Sequence, residues 1–181
     1  MKFYMATLLI LASLAIISTY CMAETYEQKI GPFTIQLTSD ETVKFIASGL
    51  LVPVANGIPV TNEKFTRYDA FAKIGGKDYQ IEIQDYDQLI DINLAASIMS
   101  FPLKETPFDS WETSEVGGKP GLIAITKVGT PSFFAAYSPD GVGNSGTVIV
   151  VIDTITDEKN FKGDKAIFEN MVKAIRIFKT G

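Results

Sequence analysis

From residue 33 onward, long stretches of the chain alternate apolar and polar side chains one for one. In "GPFTIQLTS", Phe33, Ile35 and Leu37 fall on one side and Thr34, Gln36 and Thr38 on the other, the mark of a strand with one buried face. Pro32 offers no N–H to a ladder and so suits the start or edge of a strand. "TVKFIASGLLVPV" predicts a second strand over 42–54, ended by Pro53 and the turn signal Asn56-Gly57. Two more alternating runs, 65–74 and 77–85, are joined by Gly75-Gly76. Tyr68, Ala70, Ala72 and Ile74 share a face in the first, and Tyr79, Ile81 and Ile83 share one in the second. A two-residue turn between twisted strands needs residues that tolerate positive φ, so this pair predicts a hairpin.

The period then changes. In "DQLIDINLAASIMSF", Leu89, Ile92 and Ala96 with Leu94, Ile98 and Met99 read as a helix over 87–101, stopped by Pro102. Strand patterns return at 111–116, 121–128, 132–137 and 147–153, linked by "GGKP", "GTP" and "SPDGVGNSG", all made of turn residues. The closing "GDKAIFENMVKAIRIF" reads as a helix whose apolar face holds Ile167, Met171, Ala174, Ile175 and Phe178. Asp164 is placed to cap it, and Lys173, Arg176 and Lys179 lie near the negative end of its dipole. The fold class expected is therefore α+β: an antiparallel sheet of about seven to eight strands with a mid-chain helix and a C-terminal helix packed on it.

The first 23 residues break this pattern. Lys2 is their only charge, and residues 3–23 are apolar or small. A basic start, an apolar run and small residues before a boundary describe an export signal, with Cys21 and Ala23 at the small-residue positions. The competing reading, second to cleavage, is an uncleaved anchor, since the run is long enough to cross a hydrocarbon core of roughly 30 Å. Tyr20 and Ser18 do not suit a lipid attached to Cys21. The domain reading is residues 1–23 as signal peptide or N-terminal membrane anchor and 24–181 as a single globular unit, secreted or otherwise extracytoplasmic.

Charge narrows the partners. The chain carries 16 Lys+Arg against 21 Asp+Glu and has no cluster of basic residues, which argues against nucleic acid. Membrane contact is expected only through residues 1–23, if they are kept. Cys21 is the single cysteine, so no disulfide holds the domain together. The expected partner is a protein or small ligand, with no cofactor.

Candidate chemistry is sparse. The two Gly-Gly-Lys stretches lack the G-x-x-x-x-G-K-[ST] spacing and precede strand patterns, whereas a phosphate loop leads into a helix. Asp85, Asp87 and Asp91 in "DYDQLID" are candidates for a hard cation. Yet Leu89, Ile90 and Ala96 stand where a calcium loop needs an acid, a glycine and a glutamate, and the plainer reading is a helix start. Asp153, Asp157 and Glu158 repeat the idea more weakly. The chain has no histidine, which removes the usual general base and the Ser–His and Cys–His pairs. "GNSG" around Ser145 is not a nucleophile elbow. Paired carboxylates are the remaining catalytic device, as in glycosidases. Trp111, Phe133, Phe134 and Tyr137, with Phe108, could line a ligand or partner surface, although aromatics at strand spacing more often fill cores. The adjacent Phe133 and Phe134 must face opposite ways. A non-catalytic exported accessory or binding domain is the function expected. The alternatives are a structural envelope protein held by an uncleaved N-terminal helix and a carboxylate-dependent hydrolase.

"SEVGGKPGLIAI", "FFAAYSPDG", "TVIVVIDT" and "FENMVKAIRIF", with the earlier "GPFTIQL", resemble PsbP-like domains and small exported archaeal proteins of unknown function. The tail Ala174-Ile175-Arg176-Ile177 matches theirs. The resemblance implies helices sandwiched on an antiparallel sheet, used as an accessory or binding module. It carries over no catalytic residue. PsbP proteins of plants act beside a manganese–calcium cluster, and no ligand set for one is matched here.

Overall fold

Gly75 and Gly76 adopt φ of 57° and 84°, and Gly117 and Gly118 adopt 61° and 75°. Both Gly-Gly pairs therefore close two-residue hairpins, with Ile74 opposite Lys77 and Val116 opposite Lys119. The structure, a computed structural model, describes residues 23–54, 65–93, 110–126 and 130–180.

Among them are ten strands and one long helix. The strands are β1 (Glu24–Ile30), β2 (Phe33–Ser39), β3 (Val43–Val54), β4 (Phe65–Ile74), β5 (Lys77–Asp91), β6 (Ser110–Val116), β7 (Lys119–Thr126), β8 (Ser132–Tyr137), β9 (Ser145–Ile155) and β10 (Ile175–Lys179). The helix, α1, spans Phe161–Ala174. Seven strands form one antiparallel sheet in the order β3-β4-β5-β9-β8-β7-β6, and β1-β2-β10 form a second. The architecture is a sheet-rich α+β fold, as the alternation predicts.

The small sheet and α1 cover one face of the large sheet. Phe33, Ile35 and Leu37 of β2, Ile175 and Ile177 of β10, and Phe168, Met171 and Val172 of α1 meet the inward residues of β4, β5, β7, β8 and β9 in one continuous core. On the outer face Tyr86, Ile90, Ile92, Leu122, Ala136, Ile149 and Val151 make a second, smaller apolar cluster.

Three expectations change. First, β5 runs through Asp91, so residues 87–91 are strand, and only Ile92 and Asn93 are helical before the described segment ends. Between Asp85 and Ile90 the ladder with β9 advances only from Val148 to Gly146, so β5 bulges. Leu89, assigned to a helix's apolar face, is 71% exposed on that bulge, while Ile90 and Ile92 turn into the outer cluster. Second, the closing helix stops at Ala174. Ile175 and Ile177 then alternate with Arg176 and Phe178 as a strand paired with β2. The buried helical residues are Phe168, Met171 and Val172, and Ile167 is exposed. Arg176 Nη1 donates to the carbonyls of Lys173 and Ile175 (2.6 and 2.7 Å), which closes the helix end, and Lys179 reaches Asp85 instead. Third, the N-cap is Asn160, with Asp164 inside the first turn. Strand β1 was not expected either. Its alternation is mostly polar, and it is held by Gly31-Pro32 in a turn that sets Ile30 opposite Phe33. Residues 1–22, 55–64, 94–109, 127–129 and 181 lie outside the described residues, and with them the predicted Asn56-Gly57 turn, Phe108 and most of the predicted signal and mid-chain helix. Among the described residues no helix is long and apolar enough to cross a membrane.

Candidate functional site

The alternation that buries Tyr68, Ala70 and Ala72 sends Arg67, Asp69 and Phe71 to the outer face of the large sheet. Register sets Asp69 opposite Glu82, Arg67 opposite Gln84, and Gln80 opposite Asp153. Three carboxylates thus gather around one guanidinium on neighbouring strands. Arg67 Nε bonds Asp69 Oδ2 at 2.9 Å, and its Nη2 bonds Glu82 Oε2 at 3.0 Å. Tyr86 donates its hydroxyl to Gln84 Oε1 (2.6 Å), and Gln84 Nε2 donates to Glu82 Oε1. Glu82 is only 7% exposed, and burial raises its pKa against the pull of Gln84 and Arg67.

Asp153 is left over. Among the described residues its carboxylate accepts no hydrogen bond and joins no ion pair. Burial, then the charges of Glu82 and Asp69, push its pKa up to about 6, with Arg67 opposing. One guanidinium cannot fully compensate three carboxylates that are wholly or partly out of water, and Asp153, without a direct bond, keeps its proton to higher pH than an ordinary carboxylate.

Asp153 also marks a fork. The β5–β9 ladder ends at the pair Gln80–Asp153, and beyond it the strands part, with Thr154 Oγ1 donating to the Asp78 carbonyl (2.7 Å) across the gap. An open cleft of about 750 Å³ fills the fork. Its walls are the β4–β5 turn with the start of β5, the end of β9 with residues 156 and 157, and the first turn of α1. Lys77 pairs with Asp164, which also accepts from the Thr156 hydroxyl. Asp157 receives the backbone N–H of Asn160 (2.8 Å) and its side-chain amide (2.9 Å). Tyr79 lines the cleft and is 1% exposed, and its hydroxyl has no hydrogen-bond partner among the described residues. Burial, helped by Asp164, pushes that phenol up to about 12, so it stays protonated. Phe71 and Ile155 stand at the rim, 37% and 66% exposed.

The residues singled out from the sequence are scattered around this site. Asp85 pairs with Lys179 at 2.7 Å, Asp87 is exposed on the β5 bulge, and Asp91 accepts the backbone N–H of Asn93. Among the described residues no three carboxylates are placed to hold a metal ion. Phe133 is buried under α1, with ring centroids 4.9 Å from Phe161 and 5.5 Å from Phe168. Tyr137 is buried too, and Phe134 lies half-buried on the outer face, opposite Asp153. Trp111 lies on β6 opposite Ala124. The aromatic set is thus divided between core and outer face. Of the cleft and its polar floor, the sequence drew attention to the Gly75-Gly76-Lys77 turn, to Asp164 as a cap, and to the acids Asp153 and Asp157. Arg67, Asp69, Glu82 and Gln84 were passed over because polar residues at alternate strand positions read as a solvated face. The available signal was that β5 carries Gln80, Glu82 and Gln84 on one face and that β4, its hairpin partner, carries Arg67, Asp69 and Lys73 on the same side. No known family model matches this chain, and no curated protein matches it in sequence.

Proposed function

We propose that this chain is a non-catalytic, exported accessory domain that binds a ligand or partner at the cell envelope, with the fork between β5 and β9 as its binding site. The observation that carries the reading is the cleft of about 750 Å³, floored by a carboxylate that has no direct partner among the described residues. Ligand sites are concave, of roughly 300–1,000 Å³, and combine apolar walls with a few convergent polar groups. The absence of histidine from the whole chain and of any cysteine after Cys21 fits a site that binds without reacting. Export rests on the composition of residues 1–23, and the accessory role on the resemblance to PsbP-like domains.

Hydrogen–deuterium exchange of the full chain with cationic, neutral and anionic small probes tests the site. The expected result is protection confined to residues 75–80 and 153–160. Protection elsewhere, or nowhere, would remove the cleft from consideration. Intact-mass measurement of the native protein tests export. Loss of residues 1–23 is expected, and their retention favours the structural protein tethered by its N-terminal helix.

A second reading, a carboxylate-dependent hydrolase, draws on one observation: Asp153 has a pKa of about 6 in a solvent-open cleft, the range of a general acid. It requires a glycosidase-type activity abolished in Asp153→Asn.

A further inference from the structure

We infer that the cleft takes an organic cation, an ammonium or guanidinium group carried on an apolar body, with Asp153 as its counter-ion and Phe71 and Ile155 as its apolar flanks. This rests on the cleft being the binding site and names the class of ligand that fits it.

Charge excludes the opposite sign. Asp78, Asp153, Asp157 and Asp164 line the cleft; Asp164 pairs with Lys77 and Asp78 with Lys73 (3.2 Å), so both nearby lysines are already spent. The start of α1, which could have attracted an anion, is occupied by the chain's own Asp157 and Asp164. A hard metal ion needs several oxygen ligands converging at one point, and no such group exists among the described residues. A single ammonium or guanidinium needs only one carboxylate and a few acceptors.

One row of side chains on the outer face points to an occupant. Phe71, Gln80 and Asp153 form one transverse row across β4, β5 and β9, so the aromatic ring lies two strands from the carboxylate, roughly 10 Å at the usual spacing. Ile155, two residues past Asp153, presents its side chain on the same face. An exposed aromatic and an exposed aliphatic flanking a carboxylate that Arg67 only partly offsets complement a cation that carries hydrocarbon, through ion pairing, apolar contact and attraction to the ring face.

Titration calorimetry on the full chain at low salt, with benzylamine, methylamine, benzyl alcohol and benzoate, tests this. Benzylamine is expected to bind most tightly and methylamine more weakly. Asp153→Asn should weaken benzylamine by about tenfold or more, and Phe71→Ala by about threefold. Glu115→Gln, an exposed carboxylate on β6, should leave it unchanged. A urea midpoint for Asp153→Asn at or above that of the parent shows that the fold is intact. Equal benzylamine affinity in Asp153→Asn and the parent overturns the inference. Preference for benzyl alcohol or benzoate, with exchange protection still at the fork, overturns the cation class and leaves the binding site standing. Absence of protection at the fork with every probe overturns both.

Discussion

Asp153 is where a single side chain says most about this molecule. Its folded pKa of about 6 lies above the ordinary 3.8, so the native state holds this proton more tightly than the unfolded chain does. Its contribution to stability therefore falls as pH rises from about 4 to about 6, and the full cost of the buried charge is present above that window. Asp153→Asn is expected to stabilise the protein by up to about 3 kcal/mol at pH 7.5 and by far less at pH 4. Urea midpoints at the two pH values measure this, and a loss at pH 7.5 would contradict the assignment. Asp140 has the opposite sign. Burial resists its ionisation, but hydrogen bonds from the Thr147 hydroxyl (2.6 Å), the Val148 and Thr147 amides and the Ser138 hydroxyl outweigh it and hold the carboxyl below its ordinary value. That stabilisation is present above the ordinary range and is lost on acidification. At this scale the sequence was a poor guide: "DTITDE" shows an acid, but only the neighbouring strands bring Glu82 and Asp69 to its side.

At the scale of elements, the hairpins were the most legible feature, because backbone geometry at Gly-Gly is a local property. Their surroundings differ. A Cβ on Gly76 would meet nothing within 4 Å, whereas one on Gly117 would lie 2.3 Å from Cε2 of the buried Tyr137. Gly76→Ala should thus cost only the positive-φ penalty, about 1 kcal/mol. Gly117→Ala should add an overpacking cost and reach about 3 kcal/mol. Thermal or urea unfolding of the two variants separates them, and equal losses would mean that Tyr137 gives way freely. The C-terminal element shows why other boundaries were hidden. Ile167, Met171, Ala174, Ile175 and Phe178 fit a helical stripe, yet Ile175, Ile177 and their polar neighbours also fit a strand. Local spacing supports both, and the free edge of β2 decides for the strand. Strand β1 was illegible for a related reason: most of its side chains stay polar, and its identity comes from the ladder with β2.

For the molecule as a whole, the last strand closes the structure. β10 pairs with β2 in the small sheet and sets Ile175 and Ile177, both buried, into the main core. Removing residues 175–181 should cost about 3–6 kcal/mol from the two isoleucines alone, much of the 5–15 kcal/mol that holds a typical domain. The truncated chain is expected to unfold at far lower urea, with loss of near-ultraviolet dichroism at ambient temperature. An unchanged midpoint would show that β2 tolerates a free edge.

The alternating pattern alone determined that this is an antiparallel, sheet-rich α+β protein with tight glycine hairpins, because side-chain period and turn conformation are set by adjacent residues. Only the tertiary structure decided which polar strand faces are buried, where β5 and β9 part to open a cleft, and that Ile175–Lys179 form a strand. Those outcomes depend on pairings between segments far apart in the chain, and no local spacing encodes them.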